Sequence, residues 1–161
     1  MFEMARDHAR FNTPFEIVAG YMSPVNDRYM KPGLAADYHR YNMCALACSK
    51  TSDWLMVDSW EARQPEYVPT AKILDHFDQE INGVRGGVDV QVGDGAGAVK
   101  VEKRKARIIL LAGSDLIQTM SEPGVWAEKD VSRSSSVCLS RLIVDASTAT
   151  SYPRTLRLFH H

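Results

Sequence analysis

No run among the 161 residues approaches the roughly 20 consecutive apolar residues that a membrane-spanning helix needs. Met1-Phe2-Glu3-Met4 puts an acid where a secretory leader is basic and then apolar, so a cytoplasmic or nuclear protein is expected. Charge of one sign is not in surplus either: 19 Lys and Arg stand against 20 Asp and Glu. That balance gives no bulk attraction to nucleic acid or a membrane surface, and it favours a small molecule or another protein as partner. Cysteine is scarce and odd in number, and Cys44, Cys48 and Cys138 match no disulfide framework, so they read as reduced thiols. Internal repeats are also lacking. What is present is a chain 45% apolar and 24% charged, long enough to bury a core as one α/β unit.

Phe2, Met4, Ala5 and Ala9 fall near one face of a helix over 1–11 that starts without a cap. Phe15 to Tyr21 reads as a buried strand, stopped by Ser23-Pro24 and the turn-prone Asn26-Asp27. Tyr41, Cys44, Ala45 and Cys48 recur at helical spacing, and Trp54 to Val57 makes a short apolar strand ended by Asp58. Pro69 suits a first helical turn, followed by the stripe Ile73, Leu74, Phe77 and Ile81. Residues 83–106 are rich in glycine and end in Lys100, Lys103, Arg104 and Lys105, the character of a mobile insertion. Arg107 to Ala112 is the strongest strand, and it runs straight into Gly113-Ser114-Asp115 and a further helix. Strands alternating with helices predict an α/β, Rossmann-like fold with a mostly parallel sheet. Residues 131–161 give the weakest folding signal and read as a divergent, disordered tail.

In such a sheet, ligands lie where strands give way to loops and helix N-termini. Two junctions stand out. The segment from Ser23 to Leu34 places Tyr29 and the cations Arg28 and Lys31 directly after a strand, with Lys31 able to neutralise phosphate oxygens and Tyr29 able to line a ring pocket. A solvated loop would read the same way. At the second, Gly113 permits close backbone approach and Ser114 or Asp115 can cap the helix, although capping alone accounts for both polar residues.

Taken in order, these segments resemble the eukaryotic, fungal-like nicotinamide/nicotinic acid mononucleotide adenylyltransferases along most of 1–130. Met1-Phe2-Glu3-Met4-Ala5-Arg6-Asp7 looks like that family's first helix, and Ser23-Pro24-Val25 with Asp27, Tyr29, Lys31 and Gly33-Leu34 looks like its substrate loop. His39-Arg40, Asn42-Met43, Ser52-Asp53-Trp54, Val57-Asp58 and Trp60-Glu61 continue the match, which Gly113-Ser114-Asp115-Leu116 and Pro123-Gly124-Val125-Trp126 close.

The resemblance implies a partial nucleotidyltransferase (cytidylyltransferase-like) domain over 1–130. It implies adenylyl transfer from ATP, with magnesium on the triphosphate, to nicotinamide or nicotinate mononucleotide, in which positioning and charge stabilisation matter more than a general base. Residue by residue, Tyr29 and Lys31 match positions near the mononucleotide, Tyr67 stands where human-like relatives carry Trp, and Thr70 matches a pocket hydroxyl. Trp126 is the position that stacks on the pyridine ring, Val125 offers backbone groups, and Gly113 and Asp115 face the dinucleotide.

The family's first strand and its Gly-Ser-Phe-Ser/Asn-Pro…His segment are expected to lie before Met1. Neither Ser134-Ser135-Ser136 nor Ser147-Thr148-Ala149-Thr150 reproduces its Ser/Thr-rich triphosphate segment. No catalytic residue is therefore assigned, the sheet is expected to lack its first strand, and that strand's neighbours are expected to be left with unpaired backbone groups. A catalytically dead fragment that binds a nucleotide or a full-length partner is the alternative, and a homo-oligomer stays open. A thiol or metal site from His39, Cys44 and Cys48 lacks a fourth ligand, so small apolar packing explains the cysteines better. Lys103-Arg104-Lys105 with Arg107 gives a weak lean toward a nuclear address.

Overall fold

The computed structural model describes residues 1–93, 99–126 and a strand at 142–145. Helix α1 (Phe2–Asn12) starts, as its sequence implies, with no side-chain cap, and buries Phe2, Ala5 and Ala9. Strand β1 (Ile17–Met22) follows, then a short 3-10 turn (Asp27–Tyr29) and α2 (Asp37–Thr51). Next come β2 (Leu55–Val57) and α3 (Thr70–Asp78), which a π-helical segment (Gln79–Val84) extends. The hairpin β3 (Val88–Gly93) and β4 (Val99–Arg104) leads to β5 (Arg107–Leu110) and α4 (Ser114–Met120). The last described element is β6 (Leu142–Asp145).

One sheet has the order β2-β1-β6-β5. β1 pairs with β2 in parallel, Gly20 opposite Leu55 and Met22 opposite Val57. β6 runs antiparallel to both β1 and β5, so β1, β2 and β5 share one direction. This is an α/β, Rossmann-like arrangement. Its three co-directional strands end on the same rim, where ligands of such sheets bind.

The slot between β1 and β5 is filled by β6, which corrects two expectations. Residues 131–161 are not wholly without regular structure, because Leu142-Ile143-Val144 is a compact run of β-forming residues. Nor are the facing edges of β1 and β5 left bare: Ala19, Gly20 and Tyr21 pair with Val144, Ile143 and Leu142, and Ile108 to Leu110 pair with the same strand from its other side.

Apolar layers cover both faces of the sheet, which is why β1 is apolar nearly throughout. On one face Phe2 and Ala5 of α1, Cys48 of α2 and Trp54 pack with Met22, Ile109 and Leu111. The thiol of Cys48 therefore belongs to a core, as small apolar packing implies. Gly20 makes this layer possible, since a β-carbon there would meet Leu55 Cδ2 at 2.5 Å and the Trp54 ring at 2.8 Å. Such overpacking typically costs about 1–3 kcal/mol. On the other face Val18 and Ala19 meet Ile73, Phe77 and Ile81 of the α3 segment, with Val90 and Ala106.

The glycine-rich stretch expected to be a mobile insertion forms this second layer's lid. Val88, Val90 and Val92 alternate toward the core, and β3 and β4 pair in register from Val88↔Arg104 to Gly93↔Val99. Asn82 fastens the hairpin's base: its amide donates to the Ala106 carbonyl at 2.7 Å, and its oxygen accepts from the Ala106 N–H at 2.7 Å. The hairpin tip, 94–98, lies outside the described residues.

Candidate functional site

The rim is built from three loops leaving β1, β2 and β5. From β1 the chain passes through Ser23 and buried Pro24 into the turn at Asp27–Tyr29. Asn26 organises that turn. Its side-chain oxygen accepts from the Arg28 N–H at 2.7 Å, while its amide donates to the carbonyls of Ala62, at 3.1 Å, and of Gln64. Arg40 of α2 braces the other side, donating to the carbonyls of Val25 and Ala35 and to Asp27 at 2.5 Å. The Arg40 hydrogen bond, and then a backbone bond from the Asp37 region, hold the Asp27 carboxyl below its usual range.

Lys31 sits between two residues in left-handed backbone conformations, Met30 at φ 53° and Gly33 at φ 76°. Such a conformation suits Gly33, whereas a long side chain adopts it only when its surroundings hold it there. Lys31 is exposed.

From β2 the chain descends through Asp58, whose carboxylate accepts from the Trp60 N–H at 2.9 Å. It then reaches Glu61, which is only 5% exposed and accepts from the Ser23 hydroxyl at 2.5 Å. Burial pushes the Glu61 carboxyl up to about 6, against the downward pull of Ser23 and Arg40. Farther along, the Tyr67 ring stacks on Tyr29 with centroids 5.7 Å apart. Burial raises the Tyr67 hydroxyl's pKa, with smaller upward contributions from Tyr29 and Glu61. Thr70 opens α3 three residues later.

The structure stacks Tyr29 of the β1 loop on Tyr67 of the segment after β2, with Lys31 two residues beyond Tyr29 and Thr70, at the start of α3, three beyond Tyr67. Gly113, Asp115, Val125 and Trp126 form a second group, after β5. Gly113 is the residue preceding α4, so neither Ser114 nor Asp115 caps that helix: they already lie in its first turn, and the cap position carries no side chain. Asp115 instead sets a negative charge against the first-turn N–H groups. The half-buried Trp126 indole donates to Thr119 Oγ1 at 3.0 Å, which fixes the ring against α4, and Val125 is exposed. Trp126 follows α4, after β5, whereas the Tyr29–Tyr67 pair lies on the segments after β1 and β2. Among the described residues no set of three or more His, Cys, Asp or Glu side chains could hold a metal ion.

Sequence reasoning passed over Glu61, Asn26 and Ser23 as working residues. The available signal was small: a carboxylate wedged in Trp60-Glu61-Ala62 just beyond a strand, and an Asn at a turn. It also gave no role to a cavity of about 420 Å³ beside α3, lined by Arg63, Arg85 and the Trp60 and His76 rings, which stack at 4.0 Å.

No protein-family model matches the chain. Over 131 residues, 81% of its length, it is 56% identical to the nicotinamide/nicotinic acid mononucleotide adenylyltransferase of Schizosaccharomyces pombe, covering 33% of that protein. It is 55% identical over an equal span to nicotinamide/nicotinic acid mononucleotide adenylyltransferase 1 of Saccharomyces cerevisiae, covering 31%. Against the protein of that name from Arabidopsis thaliana the identity is 39% over 126 residues, 78% of the chain and 46% of the relative. The chain spans about a third of the length of the fungal relatives it matches.

Proposed function

We propose, since the matched residues belong to the nicotinamide/nicotinic acid mononucleotide adenylyltransferase family, that this chain carries the mononucleotide-facing part of an enzyme that joins ATP and a pyridine mononucleotide into a dinucleotide. The observation that carries the reading is the β1 loop. It holds Tyr29 on Tyr67 and leaves Lys31 exposed two residues later, in a chain 56% identical to a protein of that name.

In that reaction a phosphate oxygen of the mononucleotide attacks the α-phosphorus of ATP, and the bond to the departing pyrophosphate breaks. The nucleophile is already ionised near neutral pH, so the protein's task is placement and charge stabilisation. Lys31 suits the mononucleotide phosphate, and the Tyr29–Tyr67 pair suits a wall of its pocket. Trp126, fixed against α4, suits a pyridinium ring, a contact worth roughly 0.5–2 kcal/mol. Gly113 leaves room for close backbone approach of the dinucleotide, with Asp115 in the turn behind it. Magnesium would accompany the triphosphate and supply charge stabilisation there, and no residue here is assigned to it. A cytoplasmic or nuclear location fits this role.

The test is a coupled assay with ATP, magnesium and nicotinamide mononucleotide, in which the dinucleotide formed is reduced by alcohol dehydrogenase. Turnover that falls at least tenfold in Lys31→Ala and Trp126→Ala supports the reading. Turnover that both variants retain in full assigns the chemistry to some other surface.

A further inference from the structure

Tyr29 and Tyr67 lie on loops that leave neighbouring strands, so their stacking depends on whatever ties the two loops together. Asn26 and Glu61 are the two buried polar residues among those described, and both make that tie. Glu61 accepts from Ser23, the first loop residue after β1, and Asn26 reaches back to the carbonyls of Ala62 and Gln64 on either side of Arg63. A carboxylate is a costly choice for a buried position, and an aliphatic side chain would fill the space without losing hydration. What the carboxylate adds is a strong, directional acceptor for Ser23.

We propose that Glu61 is a positioning residue for mononucleotide recognition: by gripping Ser23 it fixes the loop that carries Tyr29 and Lys31 against the segment that carries Tyr67. The proposal rests on the functional reading above and adds to it the residue that sets the pocket's shape. Glu61 touches no substrate in this scheme. It acts through the loop, and its loss weakens binding by letting Tyr29 and Lys31 wander.

The experiment combines calorimetric titration with nicotinamide mononucleotide and amide hydrogen exchange over 23–34, on wild type, Glu61→Leu, Glu61→Gln, Ser23→Ala and Asn82→Ala. A hydrogen bond to a charged acceptor is worth about tenfold or more in an equilibrium. Glu61→Leu and Ser23→Ala are therefore expected to lose about tenfold in affinity and to speed exchange in the loop. Glu61→Gln, which keeps an oxygen acceptor for Ser23 but not its charge, is expected to fall between wild type and Glu61→Leu. Asn82→Ala loosens the hairpin and should change neither readout, which separates positioning from general destabilisation. Wild-type affinity and exchange in Ser23→Ala, or a Glu61→Gln as weak as Glu61→Leu, overturns the proposal. Should Glu61→Leu fail to fold, Ser23→Ala carries the same test. A wild-type chain that does not bind the mononucleotide overturns the functional reading instead, and the recognition role falls with it.

Discussion

Replacing Glu61 by Gln should change how the stability of this protein depends on pH. The carboxyl is 5% exposed, and burial lifts its pKa from 4.5 to about 6. The charges and hydroxyls facing it come from each surrounding element: Ser23 from the β1 loop, Arg40 from α2, Asp58 from the end of β2, and Tyr67 farther along. Ser23 and Arg40 pull the value down, Asp58 pushes it up, and burial outweighs them all. Because the folded chain holds this proton more tightly than the unfolded one, the associated stability is fully present below about 4.5 and is lost as pH rises through about 6. A shift from 4.5 to about 6 corresponds to about 2 kcal/mol. Urea denaturation of wild type and Glu61→Gln at a series of pH values from 4 to 7.5 measures it. The wild-type stability minus that of the variant should fall by about 2 kcal/mol across the series. Any constant cost of housing the amide cancels in that difference. A flat difference, or one that rises with pH, would refute the account of Glu61 as a carboxyl whose ionised form the fold disfavours.

Two further outcomes follow from the fold. Asn82→Ala removes both side-chain bonds to the Ala106 backbone and should cost about 1–3 kcal/mol, with faster amide exchange in β3 and β4 than in β1 as the sign that the hairpin has been unfastened. Val144→Pro removes a backbone donor from a strand paired on both sides. It should cost about 3 kcal/mol or more in a thermal or urea melt, whereas a chain whose β1 and β5 do not depend on β6 would melt unchanged.

The parallel strands were legible because each is a short apolar run bounded by turn residues, and the helices because Phe2-Ala5-Ala9 and Ile73-Phe77-Ile81 repeat with helical period. The hairpin was obscured by composition. Six-residue strands with Val88, Val90 and Val92 in strict alternation lie in a glycine-rich segment, and the alternation was the better guide. β6 was missed because four residues of local β preference are common, and only the vacant slot between two distant strands gives them a place. Among the site residues, Tyr29 and Lys31 stood out from position after a strand, and Tyr67 and Thr70 from family likeness alone; the fold stacks Tyr29 on Tyr67. The Glu61–Ser23 and Asn26–Gln64 bonds span 38 residues, and a tie between loops that far apart leaves no local pattern to read.

The most direct measurement is hydrogen exchange on the full chain with and without saturating nicotinamide mononucleotide. The account predicts protection concentrated in 23–34, around Tyr67 and Thr70, and in 113–126, the three loops of one rim. Protection confined to the cavity of Trp60, His76, Arg63 and Arg85, or protection nowhere, would contradict it.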